Sequence, residues 1–413
     1  MTRDRTRTVR TALVGGPMYD PLYDTLPAFE RETGLTVEIV ARLPHPELNA
    51  YVRETLESCE VDLDLISTHT KYAPSQAQWL RPIDDLVPPA YLADALPRPL
   101  QLSRIDGRLM QVPRNLDVRL LHYRRDLFED RCEQQAFERA FGRPLRVPDT
   151  WDELADAAAF FTRPGLFGFL FPGRDSGLFG TFYELLVGAG GELFDEELRP
   201  AFDSAAGAWA AGVLADLHRV RRVTPHDLRT WHYDEISAAF RNGQAAMVCD
   251  WPGSYHLYTT PATCRVWDRV GLALLPAGPS GIRAAYAGCH SFAIPRTVQN
   301  IEGGAALLRF LTSVDAQLTE AERGAIPCRA SALRRIQERD VEHRDAAPRW
   351  ALLAEMQQSM IIPPRFAAYP QCEDAIWESI QLAMEGVLTP RAAVRSASEV
   401  IQTIVDTHPA AHR

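Results

Sequence analysis

Val9-Arg10-Thr11-Ala12-Leu13-Val14, followed at once by Gly15-Gly16-Pro17, opens the segment whose reading decides the fold. The apolar run suits a short strand, and the glycines behind it permit a turn with close backbone approach. Leu22, Leu26 and Phe29 then recur at i, i+4 and i+7 on one helix face, and Gly34 stands where a left-handed C-cap belongs. Thr36-Val37-Glu38-Ile39-Val40 reads as a second strand, Leu48, Val52 and Leu56 mark a second helix, and Leu63-Asp64-Leu65-Ile66-Ser67 reads as a third strand. This alternation predicts an α/β protein with a mainly parallel sheet, right-handed crossovers and helices on its faces. Ligands of such sheets bind beyond the strand C-termini, which nominates Gly15 to Tyr19 and Ser67 to Tyr72 as loops facing a ligand.

Downstream, Gly107 to Pro113 reads as a turn into a short strand and Leu120 to Tyr123 as another. Thr150-Trp151-Asp152-Glu153 carries a capping box, with Leu154, Ala158 and Phe161 continuing the helix. The Gly- and Phe-rich stretch from Gly165 to Gly191 reads as a loop lining a groove. Ala245 to Cys249 is a buried strand that empties into Asp250-Trp251-Pro252-Gly253, Val270 to Leu275 is another ending at Pro276, and the tail from about 341 is helical. No repeat or low-complexity tether separates domains.

The chain has 413 residues, enough for two or three domains. With 44 basic and 54 acidic residues its net charge is -10, which argues against a nucleic-acid or anionic-lipid partner. Lys71 is the only lysine, which excludes Schiff-base or P-loop lysine chemistry elsewhere. No stretch approaches the ~18 apolar residues of a membrane span. Arg3, Arg5, Arg7 and Arg10 resemble a signal n-region, but Thr11 to Val14 falls short of an h-region. The expectation is therefore a leader upstream of this chain, or a cytoplasmic protein. Seven cysteines without a Cys-x-x-Cys pairing argue against a zinc ribbon and mildly favour a reducing compartment, leaving a single disulfide open. His408 and His412 stand four apart at the C-terminus without a third ligand, so no metal site is expected, and no cofactor fingerprint or Gly-x-Ser-x-Gly elbow occurs.

Several stretches carry a family resemblance in the right order. Phe29-Glu30 with Thr33-Gly34-Leu35-Thr36-Val37-Glu38, Asp62-Leu63-Asp64-Leu65, Leu80-Arg81-Pro82-Ile83-Asp84, Asp106-Gly107-Arg108 to Pro113 with Leu121 to Phe128, Pro148 to Leu154, and Phe240 to Met247 together resemble the extracellular solute-binding proteins of carbohydrate ABC importers. That family includes maltose-binding and glycerol-phosphate-binding proteins. Arg124-Arg125 replaces the usual Asn-Lys. The resemblance implies a type II periplasmic-binding fold of two lobes around a ligand cleft, 1–112 with 276–325 and 113–275 with 326–413, with crossings near Val112-Pro113, Pro276 and residue 326. It implies a monomer that delivers a mono- or oligosaccharide, or a derivative, to an ABC permease by hinge closure. Two rivals stand beside it, a cytoplasmic sugar sensor and a glycoside-processing enzyme.

A sugar presents hydroxyl rims and flat C–H faces, so its site needs carboxylates, amides and Arg for the rim and aromatics for the faces. Strand-end placement nominates Met18, Tyr19, Thr68 and His69. The resemblance adds Arg114, Asn115 and Asp117 at the hinge, Asp117 as a bidentate hydroxyl acceptor or else a salt-bridge partner of Arg114 or Arg119. It adds Trp251 as a stacking face or else a core residue, Gly288 and His290 on a glycine-containing cleft loop, and Arg365 and Tyr369 from the tail. Arg174-Asp175 and Arg329 are ligand contacts or surface charges.

Overall fold

The computed structural model describes residues 6–58, 60–341 and 347–407. Arg3, Arg5, Cys59, His408 and His412 lie outside them. The N-terminal alternation forms as β1 (Thr8–Val14), α1 (Asp20–Thr33), β2 (Thr36–Leu43), α2 (His45–Ser58) and β3 (Leu65–His69). Strand β1 pairs in parallel with β2 on one side and β3 on the other. Its Val9 and Leu13 pack into one core and its Ala12 and Val14 into another, so both sheet faces are buried under helices. Gly34 caps α1 at φ 69°, its N–H donating to the Glu30 carbonyl.

The chain continues through β4 (Val112–Val118), β5 (Leu120–Arg124), α3 (Trp151–Phe161), β6 (Phe167–Leu170), α4 (Asp175–Gly188), α5 (Tyr233–Arg241), β7 (Ala245–Asp250), β8 (Val270–Ala273), β9 (Ala285–Ala293), β10 (Ile326–Pro327), β11 (Met360–Ile361) and α6 (Tyr369–Glu385). The larger sheet has the order β10-β4-β9-β3-β1-β2, with β11 on β9; the smaller has the order β8-β5-β7-β6. Strand β9 runs antiparallel to both β3 and β4, and β5 runs antiparallel to β7 and β8, so each sheet is mixed. The parallel pairings belong to the strand-helix-strand units; strands that pass between lobes enter the sheets from the other end.

Sheet membership changes at Arg119, between β4 and β5, and again between Ala273 and Ala285. Val112-Pro113 opens β4, and Ile326 pairs with Leu116 at the edge of the larger sheet. No turn residue marks Arg119 as the crossing, since polar and apolar residues are mixed from Arg114 to His122. Its guanidinium is wholly buried, paired with Glu184 of α4 and donating to Tyr233 Oη of α5 at 3.0 Å, which fastens the crossing to the second lobe. The Gly165–Gly191 stretch is not a groove loop but β6 and the buried helix α4. Its glycines serve close packing: a Cβ at Gly180 would stand 2.4 Å from the Tyr286 ring, and one at Gly168 1.8 Å from the Ala158 carbonyl oxygen. The Thr150 capping box forms as the sequence predicts.

Candidate ligand-binding cleft

The C-terminal ends of β1, β2 and β3 meet the second lobe around a cavity of about 60 Å³. Met18 and Tyr19 enter it from behind β1, His45 from behind β2, and His69 and Lys71 from behind β3; Asp117 and His290 rise from β4 and β9. The opposite wall is Ser176, His232, Asp234 and Trp251. The lobes touch here. A Cβ on Gly253 would stand 2.5 Å from Met18 Cγ, and Arg174 reaches Glu47 across the cleft at 3.7 Å.

Strand pairing explains the cluster on the first lobe. His290 lies directly opposite His69 in the β9–β3 ladder and opposite Asn115 in the β9–β4 ladder, so side chains far apart in sequence share one face. The rings of His45, His69 and His290 meet edge to face with centroids 4.9 to 5.6 Å apart. His69 Nδ1 accepts from the Lys71 amide at 3.2 Å, which assigns the ring proton to Nε2. Tyr19 Oη lies 3.1 Å from His290 Nε2, and Asp117 Oδ2 lies 3.6 Å from it. Asn115 Nδ2 donates to both oxygens of Asp117 at 2.9 Å.

Burial dominates the electrostatics. It pushes His290 down to about 3, with Arg114 and Lys71 adding to the shift. Burial, then His290 and Lys71, also hold His45 and His69 well below the usual imidazole range, so all three rings are neutral near pH 7. Burial raises Asp117 to about 7 against the opposing pull of Arg114 and the Asn115 hydrogen bond. His45 Nε2, His290 Nδ1 and Asn115 Oδ1 are buried without a hydrogen-bond partner among the described residues. Such atoms cost free energy unless a ligand or water meets them. Among the described residues no three His, Cys, Asp or Glu side chains are arranged to hold a metal ion.

Trp251 forms the aromatic wall. Its ring packs on Tyr233 and Tyr286 with centroids 5.4 and 5.8 Å away, and the Arg119 guanidinium lies 5.8 Å from its centre. Its amide donates to Asp250 Oδ1 at 2.7 Å, and Tyr258 donates to the other oxygen. The Asp250 carboxyl, pushed up to about 6 by burial and partly restored by Tyr258, anchors the loop that aims the indole.

Six expected residues, Met18, Tyr19, His69, Asp117, Trp251 and His290, thus face one cavity. The others have different partners. Thr68 donates to Gln76 Oε1 at 2.5 Å behind the strand end. Arg114 is buried in an ion pair with Glu320, 5.5 Å from the Tyr19 ring centre. Gly288 is not in a loop: it pairs with Asp117 inside the β9–β4 ladder, and a Cβ there would stand 2.2 Å from His69 Nε2. Its function is to leave room for that imidazole. Asp175 Oδ1 lies 2.9 Å from His232 Nε2, and Asp175 lines a neighbouring cavity of about 440 Å³ with Trp79 and Trp377; Ser176 borders both cavities. Arg365 braces the turn after β3 by donating to the Thr70 carbonyl at 3.0 Å. Tyr369 is wholly buried and donates to Glu373 Oε1 at 3.1 Å, away from the cavity. Arg329 is neither a ligand contact nor a surface charge; it is buried over the Tyr91 ring and donates to the Thr312 carbonyl.

The sequence reading missed His45, His232 and Asp234, and reached Lys71 only as part of the Ser67 to Tyr72 loop. His45 follows the second strand, so the strand-end rule that nominated the loops after β1 and β3 would have found it. Asp234 sits in the first turn of α5, where the His232 amide donates to Glu235 Oε2 at 2.7 Å; a histidine at the cap position gives no sequence signal for the helix start. Lys71 is less a ligand group than part of a core. Its Nζ donates to Glu373 Oε1 and Tyr286 Oη, both at 2.8 Å, and Tyr72 Oη donates to Glu373 Oε2 at 3.0 Å.

Two α/β lobes closing on a polar, aromatic-walled cleft define a binding protein of the periplasmic type. The chain belongs to the bacterial extracellular solute-binding protein family, whose sequence profile matches residues 25–346. The maltose-bound MalE3 of T. maritima is similar over 96% of this chain and 99% of its own, at 26% identity and a TM-score of 0.85. An ABC transporter solute-binding protein of Agrobacterium vitis with bound D-mannitol shares the fold over 98% of this chain and 99% of its own, at 21% identity and a TM-score of 0.80. A mannitol-binding protein of Pseudomonas aeruginosa is 27% identical over 244 residues, 57% of this chain and 52% of that one. Among the described residues no helix is long and apolar enough to cross a membrane.

Proposed function

We propose that this chain is the substrate-binding protein of an ABC importer for an uncharged sugar or polyol, held in the cleft between β1, β3, β9 and Trp251. The observation that carries the reading is the cluster of neutral imidazoles, with unpartnered buried nitrogens, beside the Asp117 carboxyl. The imidazoles offer donors and acceptors without fixed charge and Asp117 a carboxyl that accepts hydroxyls and repels anions, which suits a polyhydroxyl compound better than an anionic ligand. Trp251 offers a face for the C–H side of the ligand. The maltose and mannitol bound by the similar proteins agree with this class.

A cavity of about 60 Å³ has room for a few waters, not a sugar ring. The lobes therefore part to admit ligand and close over it, with the hinge at Arg119, between Ala273 and Ala285, and after Pro327. A second sugar unit would extend past Ser176 toward Trp79 and Trp377. The protein works as an extracytoplasmic monomer beside its permease, without nucleic acid, and releases its ligand chemically unchanged. A thermal-shift panel of sugars, polyols and sugar acids tests the class. Stabilisation follows RT ln(1 + [L]/Kd), about 2.7 kcal/mol at one hundred times Kd. Neutral polyhydroxyl compounds should raise Tm; a response confined to sugar acids, or a glycoside cleaved during the assay, would overturn the reading.

A further inference from the structure

Beneath the cleft floor lies a pair of thiols. Cys289 follows Gly288 and precedes His290 on β9, and alternation along the strand turns it away from the cavity that His290 lines. Cys328 follows β10, where the chain makes its third passage between the lobes. Both are buried, and their sulfurs are 3.6 Å apart although the residues are 39 positions apart in sequence. Among the described residues this is the one sulfur–sulfur contact; Cys249, Cys264 and Cys372 are buried elsewhere and Cys132 is exposed.

The backbone on both sides is fixed. Cys289 pairs with Leu116 inside the sheet. The Cys328 amide donates to Gln317 Oε1 at 2.7 Å, and its carbonyl accepts from the Leu96 amide at 2.8 Å. The thiols are therefore held against each other by main-chain bonds that do not depend on them. Closing the remaining gap to a covalent bond asks for side-chain rotation and a small approach of the two segments.

We propose that Cys289 and Cys328 are joined as a disulfide when the chain folds in an oxidising compartment. This rests on the reading that the protein is extracytoplasmic. The oxidant is a protein or small-molecule disulfide of that compartment. One cysteine thiolate attacks it and expels a thiol; the second thiolate then attacks the mixed disulfide, forms the Sγ–Sγ bond and expels the other thiol. The two S–H protons pass to solvent or to the departing thiolates, and both electrons reduce the oxidant. Burial holds the Cys328 thiol well above its ordinary range, so the bond forms during folding, before the sheet closes over the pair. The cross-link would tie the strand bearing His290 to the third passage between lobes.

The test refolds the full chain with glutathione disulfide and compares it with the chain refolded under a reducing thiol. Expected are the loss of two of seven thiols, a Cys289–Cys328 peptide pair 2 Da lighter than its reduced parts, and a Tm several degrees higher that falls back on reduction. Cys328→Ser should leave the oxidised and reduced Tm equal. Seven free thiols after oxidative refolding, or linkage to a different cysteine, would overturn the proposal. So would seven free thiols in protein recovered from the extracytoplasmic fraction of source cells. Sugar-induced Tm shifts, measured on the reduced protein, report on the ligand reading separately: they can fail while the disulfide forms, or succeed while it does not.

Discussion

Two buried polar clusters sit back to back at the junction of the lobes and are built on opposite plans. In one, Lys71 and Glu373 pair at 2.8 Å, and the hydroxyls of Tyr72, Tyr286 and Tyr369 complete the carboxylate and ammonium between them. In the other, His45, His69, His290, Asn115 and Asp117 crowd together and leave nitrogens and an amide oxygen unpartnered. The first satisfies its own groups, although Lys71 and Tyr286 also border the smaller cavity and Tyr72 and Glu373 the larger one, and it holds α6 to the first lobe. The second is open on the cavity side. Buried polar groups that satisfy one another stabilise a fold, whereas those left unsatisfied at a cavity are poised for something absent from the chain. The pair also differs in charge: Glu373, with burial working against it, keeps Lys71 raised above its ordinary value, while the histidines are driven neutral.

The sharpest way to break this contrast is to open the closed cluster. Glu373→Ala leaves the Lys71 ammonium buried without its counter-charge, and unfolding in denaturant should show a loss of about 3–5 kcal/mol. A loss below 1 kcal/mol would mean that the hub is not structural.

Asp117→Asn should behave in the opposite way. The folded carboxyl has a pKa of about 7 and the unfolded one about 3.8, so its ionisation weakens the fold progressively as pH rises from about 4 to about 7. Asn cannot ionise. The ligand-free variant should therefore match or exceed wild type in Tm above pH 7, the gain bounded by about 4 kcal/mol at 1.36 kcal/mol per unit. His290 has the reverse sign: its folded pKa of about 3 lies below the unfolded 6.5, so its contribution is present above pH 6.5 and is lost as pH falls toward 3. Melting curves at pH 7.5 and 5 should show a smaller acid-induced drop in Tm for His290→Gln than for wild type, and equal drops would remove the buried neutral imidazole from the scheme.

Trp251→Ala should weaken ligand binding by about 2- to 12-fold, the ~0.5–1.5 kcal/mol of a good ring contact, with a modest fall in Tm because the indole also packs on Tyr233 and Tyr286. Normal affinity with a large fall in Tm would make it a core residue. The smallest effect belongs to the half-exposed Glu47–Arg174 pair across the cleft. Glu47→Gln should change affinity by no more than ~1 kcal/mol and leave Tm almost unmoved.

Much of the first lobe was legible because its signals are local. Leu22, Leu26 and Phe29 are spaced for a helix whatever lies elsewhere, and the strand-end rule led to Tyr19 and His69 without knowledge of their partners. Long-range placement was harder to read. Arg119 lies in a run from Arg114 to His122 in which polar and apolar residues are mixed throughout, so nothing local sets it apart; Glu184, Thr181 and Tyr233, brought near by two helices, show why the chain changes sheets there. Glycines misled twice: Gly177 and Gly180 suggested a loop but sit inside α4, and Gly288 suggested a cleft loop but sits in β9 and makes space for His69. In each case the cause is a neighbour that composition does not reveal. Tyr369 and Arg365 match a family segment in order, yet their polar atoms are turned to Glu373 and the Thr70 carbonyl.

The most direct measurement is calorimetric titration of wild type and Asp117→Asn with the compound that the thermal-shift panel selects, beside melting curves of both ligand-free proteins at pH 7.5. Loss of the acceptor carboxylate should cost about 1–3 kcal/mol of binding, a 5- to 150-fold rise in Kd, with no loss of Tm. Unchanged affinity, or a fall in Tm with affinity intact, would place the ligand away from Asp117 and contradict a sugar site built on the open cluster.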